Sequence, residues 1–554
     1  MVESTNLANV RQMCFQLRPI LGERAQAIYD AFLAEDDDGR AQIQHYLEVL
    51  AARHLPHELG EGDMVLIPPS QTQAKGDYTI GNVHYAGKNL YEFGLREDEW
   101  IQHVAVLGRS GAGKTNIGFI LLRELRKKSK PFLVFDWKRN YRDLLALPEF
   151  RGVEVYTIGR NVAPLTFNPL IPPPGTNPKT WLKKLNEVIA HSYCLGNGVL
   201  FLLQQAVDAV YEEAGVYDGT VQRWPTFKDV LLKARKMDSR GREAGWLSST
   251  LRALSSLCFG DMDHLLNADS NRSLEHILEK SVILELDALT QSDKVFFAEA
   301  LLLWIHHRRM TEQRRESFKH AIIIEEAHHI LSDERHSLVG GQSVMEIVFR
   351  EIREFGESLI LLDQHPSKIS LPALGNTYTT ICLGLKHKTD INAISQCLLL
   401  DKERDLLGML DIGQAVVKLQ GRIARPFQIL VPEFMIDKGH ITDDCLRQQM
   451  KTDVSVSMNA GPIVTEDITA AVSDVPADTP GALTDVKTLF LRDILEYPGS
   501  GVAARYKRLG LSVRQGQQVK DELIEAGLIQ EKTVMTHMGR MVAIELTADG
   551  RALL

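Results

Sequence analysis

Cysteine is scarce and scattered: six residues in 554, at 14, 194, 258, 382, 397 and 445, with no C-x-x-C pair. That spacing excludes a disulfide framework or a zinc ribbon as the organising element, and reduced thiols are the default. Apolar runs are short as well. None approaches the roughly 20 residues of a bilayer span, and the opening MVESTNLANV has neither the basic nor the apolar part of a signal peptide, so a cytoplasmic chain with no membrane partner is expected. Positive charge is not in excess either: 63 Lys and Arg stand against 72 Asp and Glu, a net −9. This argues against an overall polyanion-binding surface, although basic residues confined to one channel would suffice for a nucleic acid. Aromatic residues are missing from 451–485, which is rich in Ser, Thr, Asp, Ala and Pro and reads as a flexible linker.

What is present centres on residues 101–125, IQHVAVLGRSGAGKTNIGFILLREL. A short apolar strand at 104–107 leads into G-x-x-x-x-G-K-[ST] at 108–115, and a helical pattern follows in Ile117, Ile120, Leu121 and Leu125. This is the pattern of a phosphate-binding loop. Its glycines let successive N–H groups face an anion, and the following helix adds its positive dipole end. Gly108, Arg109, Ser110, Gly111, Ala112, Gly113, Lys114, Thr115 and Asn116 are therefore the candidate nucleotide-binding residues. Lys114 should reach the β and γ phosphates and Thr115 should ligate magnesium, making ATP and Mg2+ the expected ligands.

Length suggests about three to four domains. Residues 1–60 read as two or three helices broken at Gly22 and at 35–39, and residues 61–100 as short β-like runs that could make a small sheet leading into the strand of the phosphate loop. The α/β core follows at 101–450, its strands interrupted by a helical insertion at about 179–266. Within it PFLVFDWKRNY (131–141) is a strand ending on Asp136, and VEVYTI (153–158) and VILELDAL (282–289) are further strands.

Two more runs carry chemistry. AIIIEEAHHIL (321–331) is a buried strand that delivers Glu325 and Glu326 to its C-terminal end, beside the loop if the sheet is parallel. One carboxylate can organise magnesium, and the other can orient an attacking water. A metal site from His328 and His329 with His320 or His336 is disfavoured, because adjacent histidines on a helix point about 100° apart. In the second run, FREIREFGESLILLDQHPSKIS (349–370), Arg350 and Arg353 share a helix face, Gly356 ends the helix and Gln364 follows the next strand. Gln364 can sense a γ phosphate, and an arginine offered to a neighbour's nucleotide would stabilise transition-state charge.

The succession GRSGAGKTN, VFDWKRNY, LTFNPL, IIIEEAHHIL, REIREFG, LLDQHPSKI and TTICLGLKHKTDINAIS resembles the HerA branch of the HerA and FtsK superfamily of ring-forming DNA-pumping ATPases, over roughly residues 100–430. The resemblance implies a RecA-like P-loop core assembled as a hexamer, with nucleotide between subunits and duplex DNA through the hole. It gives Lys114 and Thr115 the triphosphate and magnesium, Glu325 the metal-side acid, Glu326 the catalytic acid, Gln364 the sensor and Arg350 or Arg353 the finger. Three departures stand out. The metal-side acid is Glu where the family usually has Asp; the N-terminal β-barrel is reduced to residues 64–100 and preceded by helices; and the chain continues past the core.

Residues 486–554 resemble a winged-helix domain, with Arg505, Lys507 and Arg508 expected to be exposed on its second helix and Arg514, Gln517, Gln518 and Lys520 on its third. Of these, Arg505, Arg508, Arg514 and Lys520 are the candidate DNA contacts. The expectation is an ATP-driven hexameric DNA translocase or helicase working with a partner such as a nuclease. The alternatives are an ATPase ring that scaffolds a separate effector enzyme in a defence complex, and an ATP-controlled DNA-binding regulator. Residues 333–342, between the acidic strand and the arginine helix, are a candidate DNA-contacting loop by position alone.

Overall fold

A computed structural model describes residues 2–55, 66–268, 270–312, 315–332, 343–401, 403–448, 485–496, 505–506, 508–509, 513–536, 539–547 and 551. The linker at 451–484, the candidate loop at 333–342 and His336 lie outside them. By internal contacts the chain forms two units, 1–458 and 459–554.

The first unit is built on one sheet of eleven strands: β1 (Tyr78–Tyr85), β2 (Lys88–Leu95), β3 (Val104–Leu107), β4 (Phe132–Asp136), β5 (Glu154–Thr157), β6 (Val282–Glu285), β7 (His320–Glu325), β8 (Glu357–Asp363), β9 (Thr379–Leu383), β10 (Gln414–Leu419) and β11 (Phe427–Leu430). Their order is β2-β1-β11-β10-β9-β3-β8-β7-β4-β6-β5. From β9 to β5 every pairing is parallel, and from β9 outward to β2 every pairing is antiparallel. The parallel strands are continuous apolar runs because both faces are covered. Alternation along β3 and β4 sends Ala105, Leu107, Leu133 and Phe135 into one core and Val104, Val106, Phe132 and Val134 into the other.

The first core is closed by helices Pro178–Ser192, Asn197–Glu213 and Phe227–Arg235 of the insertion and by the long helix Gln291–Met310. The P-loop helix, Lys114–Lys127, covers the second core with Ile117, Ile120, Leu121 and Leu125. This is the doubly covered α/β architecture of a P-loop core.

The β-like runs read at 64–100 supply β1 and β2, the outer edge of the main sheet, with Asn82 opposite Leu430. Arg422 fixes them there by donating to Lys75 O at 2.7 Å, to Gly94 O at 2.7 Å and to the Glu99 carboxylate at 2.9 Å. Open backbone groups at the end of a sheet recruit the nearest strand, a long-range pairing that local pattern cannot specify. Ahead of it, helices Val2–Leu21, Glu23–Ala34 and Asp37–His54 enclose a small core of Val10, Cys14, Leu17, Phe32 and Leu47. Gly22 at φ 60° ends the first helix, and Asp36 caps the third by accepting from Gly39 N at 3.0 Å.

After β11 the chain runs back as a strap over the P-loop helix. Asn116 fastens it, donating to Pro432 O at 2.8 Å and accepting from Phe434 N at 2.7 Å. No helix among the described residues is long and apolar enough to cross a membrane.

The second unit has helices Asp485–Glu496 and Val513–Glu525 and the antiparallel hairpin β12 (Ile529–Thr536) and β13 (Gly539–Leu546) around Phe490, Leu491, Ile494, Tyr506, Leu523 and Ile544. Here two expectations fail. Arg505 is fully buried and paired with Asp493, and Lys520 is only 8 % exposed, so neither side chain presents a surface to DNA. Arg508 also reaches Asp493, at 2.8 Å. In a domain this small the inward face of a short basic helix is unavoidable, and Asp493 supplies the charge that makes burying it tolerable. Gln517 is exposed, whereas the side chains of Lys507, Arg514 and Gln518 lie outside the described residues.

Candidate nucleotide site

Parallel strands β3, β8, β7 and β4 are consecutive neighbours, so their C-terminal ends form one edge. Leu107 pairs with Asp363, Leu362 with Glu325, and Phe135 with Ile324. That register brings the loop after β3, Gln364 after β8, Glu325 and Glu326 at the end of β7 and the turn after β4 around one cavity of about 290 Å3. Ligands of open parallel sheets bind at such an edge.

The loop is held from both sides, Gly108 N donating to Asp363 O at 3.1 Å and Arg109 N to Gly384 O at 2.8 Å. Gly111 and Gly113 adopt φ 76° and 112°, a region closed to most side chains, so the turn depends on both glycines. Lys114 Nζ spans the loop mouth, donating to Gly108 O at 2.8 Å and Arg109 O at 3.1 Å. Burial lowers its pKa, against the opposing pull of Glu326 and Asp363. Thr115 lines the same cavity at the helix N-terminus. Asn116 also lines it, but its side chain is occupied by the strap.

Glu326 has the left-handed backbone φ 50°, ψ 46°, a strained conformation for a non-glycine residue and one that recurs at functional sites. Its Oε1 accepts from Gln364 Nε2 at 2.6 Å and is paired with Lys138 Nζ. Glu325 is 6 % exposed and accepts from Trp137 N at 3.3 Å. Burial, and then the charge of Asp136, raise its pKa well above the carboxylate range. Asp136 itself is committed to its own turn, accepting from the N–H groups of Lys138, Asn140 and Tyr141 at 3.0 to 3.2 Å.

His328, Asp363 and Glu326 bring metal-capable atoms together, yet this trio reads as a positioning device. Asp363 already accepts from His328 N at 2.7 Å, His328 Nδ1 at 2.8 Å and His365 N at 2.7 Å. His320 begins β7, at the other end of the strand, and pairs with Glu357. It cannot share a metal with His328.

Arg350 and Arg353 lie elsewhere. Arg350 is in helix Val344–Glu351 and Arg353 in the following turn, and both precede β8, whose seven residues separate them from the nucleotide edge by roughly 20 Å. Arg350 is exposed and Arg353 partly so. Neither can enter this cavity.

A glycine-lined anion cradle, a lysine, a hydroxyl at a helix N-terminus and a buried carboxylate fit a nucleoside triphosphate with a hard divalent cation. The helicase HerA central domain family matches residues 78–184, from β1 into the insertion. The chain is 23 % identical over 323 residues to a probable helicase of Methanocaldococcus jannaschii, covering 57 % of this chain and 60 % of that one. It is 22 % identical over 356 residues to the DNA double-strand break repair helicase HerA of Saccharolobus solfataricus, covering 62 % and 66 %. The chain is thus similar to HerA-type helicases across its P-loop core. The matched stretches span about three fifths to two thirds of those relatives' lengths. Among solved structures, VirB4 of Thermoanaerobacter pseudethanolicus shares the fold at TM-score 0.50 and 15 % identity, over 68 % of this chain and 98 % of its own.

Lys138 and Asn140 line the cavity and were missed by sequence reasoning. Lys138 sits two positions after a buried strand, at the ligand-binding edge, and that placement was the available signal.

Proposed function

We propose that this chain hydrolyses ATP in a ring of six copies and uses the energy to move along duplex DNA, with a nuclease or another effector enzyme as partner. The observation that carries it is the meeting of Lys114 and Glu326 at one cavity while Arg350 and Arg353 stand at the far end of the same strands. A subunit so built gathers the loop, its lysine and the acids at one edge, and keeps Arg350 and Arg353 for another copy. The names of the two relatives, both helicases and one of them a DNA-repair protein, support the DNA substrate.

In this reading the loop N–H groups and Lys114 bind the β and γ phosphates. Thr115 and Glu325 would hold magnesium, whose charge when bound neutralises the phosphate oxygens. Gln364 and Glu326 orient a water opposite the leaving group. The water oxygen bonds to the γ phosphorus as the bond to the β–γ bridging oxygen breaks; the electron pair departs on ADP, and the water proton passes to Glu326. The second unit, read as a tethered winged helix, is assigned to protein contact rather than DNA, because Arg505 and Lys520 are buried.

Lys114→Ala or Glu326→Gln should lower DNA-stimulated ATP turnover by about a hundredfold or more without changing the melting temperature. Undiminished turnover in either variant would overturn the reading. Subunits carrying Arg350→Ala or Arg353→Ala, mixed with Lys114→Ala subunits, should regain part of the activity. Absence of rescue for both would remove the trans arginine.

A further inference from the structure

Glu326 holds a lysine and a glutamine through the same oxygen. The oxygen that accepts from Gln364 Nε2 at 2.6 Å is the oxygen paired with Lys138 Nζ, so Oε1 is saturated. Its other oxygen faces His328 Nδ1 at 3.9 Å, and that nitrogen is already bonded to Asp363. As it stands, the acid that should activate water is engaged by a cation.

The turn that carries Lys138 is built to aim it. Asp136 accepts from the N–H of Lys138 itself at 3.2 Å and from those of Asn140 and Tyr141 at 3.0 Å each, while Trp137 N donates to Glu325 at 3.3 Å. Arg139 takes a left-handed φ of 62°, which reverses the chain directly after Lys138. The backbone is therefore fixed at both ends, whereas the side chain of Lys138 is 54 % exposed and lines the cavity. A rigid base with a mobile four-carbon stem suits a group that exchanges partners.

We infer that Lys138 is a gate on Glu326: it pins the carboxylate until a triphosphate arrives, then transfers to the γ phosphate and frees Oε1 for the attacking water. Glu326 stands where water must approach the γ phosphorus, so a lysine touching Glu326 lies at the γ end of the site and beyond reach of a diphosphate. The inference rests on the nucleotide-site reading above. It adds a substrate-sensing residue that distinguishes ATP from ADP, and it makes release of the acid a consequence of binding the correct ligand.

The test measures binding in the intact protein, without turnover. Fluorescent ADP and a fluorescent non-hydrolysable ATP analogue are titrated against the parent, Lys138→Met, Lys138→Arg, Glu326→Gln and the Lys138→Met/Glu326→Gln double variant. Lys138→Met should weaken the triphosphate analogue about tenfold, the worth of one charge-assisted phosphate contact, and leave ADP unchanged. Lys138→Arg should recover most of that loss. Glu326→Gln, which releases the lysine in advance, should tighten the analogue several-fold, and this gain should vanish in the double variant. Equal effects of Lys138→Met on both nucleotides, no effect on either, or a Glu326→Gln gain that survives without Lys138 would each overturn the gate. Lys114→Ala serves as the separate control: unchanged affinity for both nucleotides there would overturn the nucleotide site itself.

Discussion

Glu325 and Glu357 occupy adjacent parallel strands, both shut off from solvent, and reach opposite electrostatic states. Glu357 opens β8 at the edge remote from the nucleotide site. Burial alone would raise its pKa, but His320 at 2.7 Å and Arg309 at 2.6 Å more than cancel that and bring it to about 2. Glu325 closes β7 at the site edge, where burial and the charge of Asp136 push its pKa up against the weaker pull of Lys138 and the Trp137 N–H. A buried acid supplied with fixed cations is architecture, and one denied them is prepared for a cation from outside. The two ends of the sheet are thus distinguished by what is left unneutralised.

Substitutions can break this contrast. Glu357→Gln strands His320 in the interior, leaves Arg309 with Glu312 alone, and should cost about 3 kcal/mol, read from denaturant unfolding at neutral pH. The sign with pH follows from the depressed value. Its stabilisation is complete above the unfolded value of about 4.3 and disappears as pH falls toward 2, so the variant should lack that acid limb. A parent and variant with parallel acid limbs would show that Glu357 is not the group responsible.

Glu325→Gln should act in the opposite direction. Its folded pKa is raised, so ionisation opposes folding increasingly as pH climbs above the unfolded value. Without nucleotide or divalent cation, the variant should match the parent near pH 4 and exceed it by about 1 kcal/mol near pH 8, a typical gain from removing a poorly compensated buried charge. Destabilisation at pH 8 would mean that Glu325 has a cation partner after all. The smallest effect belongs to Lys138→Met, whose half-exposed ion pair should alter stability by less than about 1 kcal/mol in either direction. A larger loss would move Lys138 from the site to the scaffold.

Much of the site was legible because its chemistry is local. Lys114, Thr115 and the glycines follow one another in the chain, and Glu325 and Glu326 end an apolar run that only a doubly covered strand explains. Lys138 was harder to see, because its partner is 188 residues away and their meeting depends on β4 lying beside β7. The same distance problem concealed the strap that occupies Asn116, the joining of β1 to β11 and the Asp363–His328 pair. In the second unit a basic helix pattern suggested an exposed face, whereas Asp493, arriving from the preceding helix, turned Arg505 inward.

The amino-acid order by itself determined the phosphate loop, the buried strands and the acids at their ends, since backbone freedom, helix polarity and apolar periodicity act over a few neighbouring residues. Strand order was decided only in three dimensions, and with it which carboxylate keeps a cation, which lysine covers Glu326 and at which edge the arginines stand. Those outcomes depend on burial and pairing between segments hundreds of residues apart, where a charge gains its meaning from whatever the fold sets beside it.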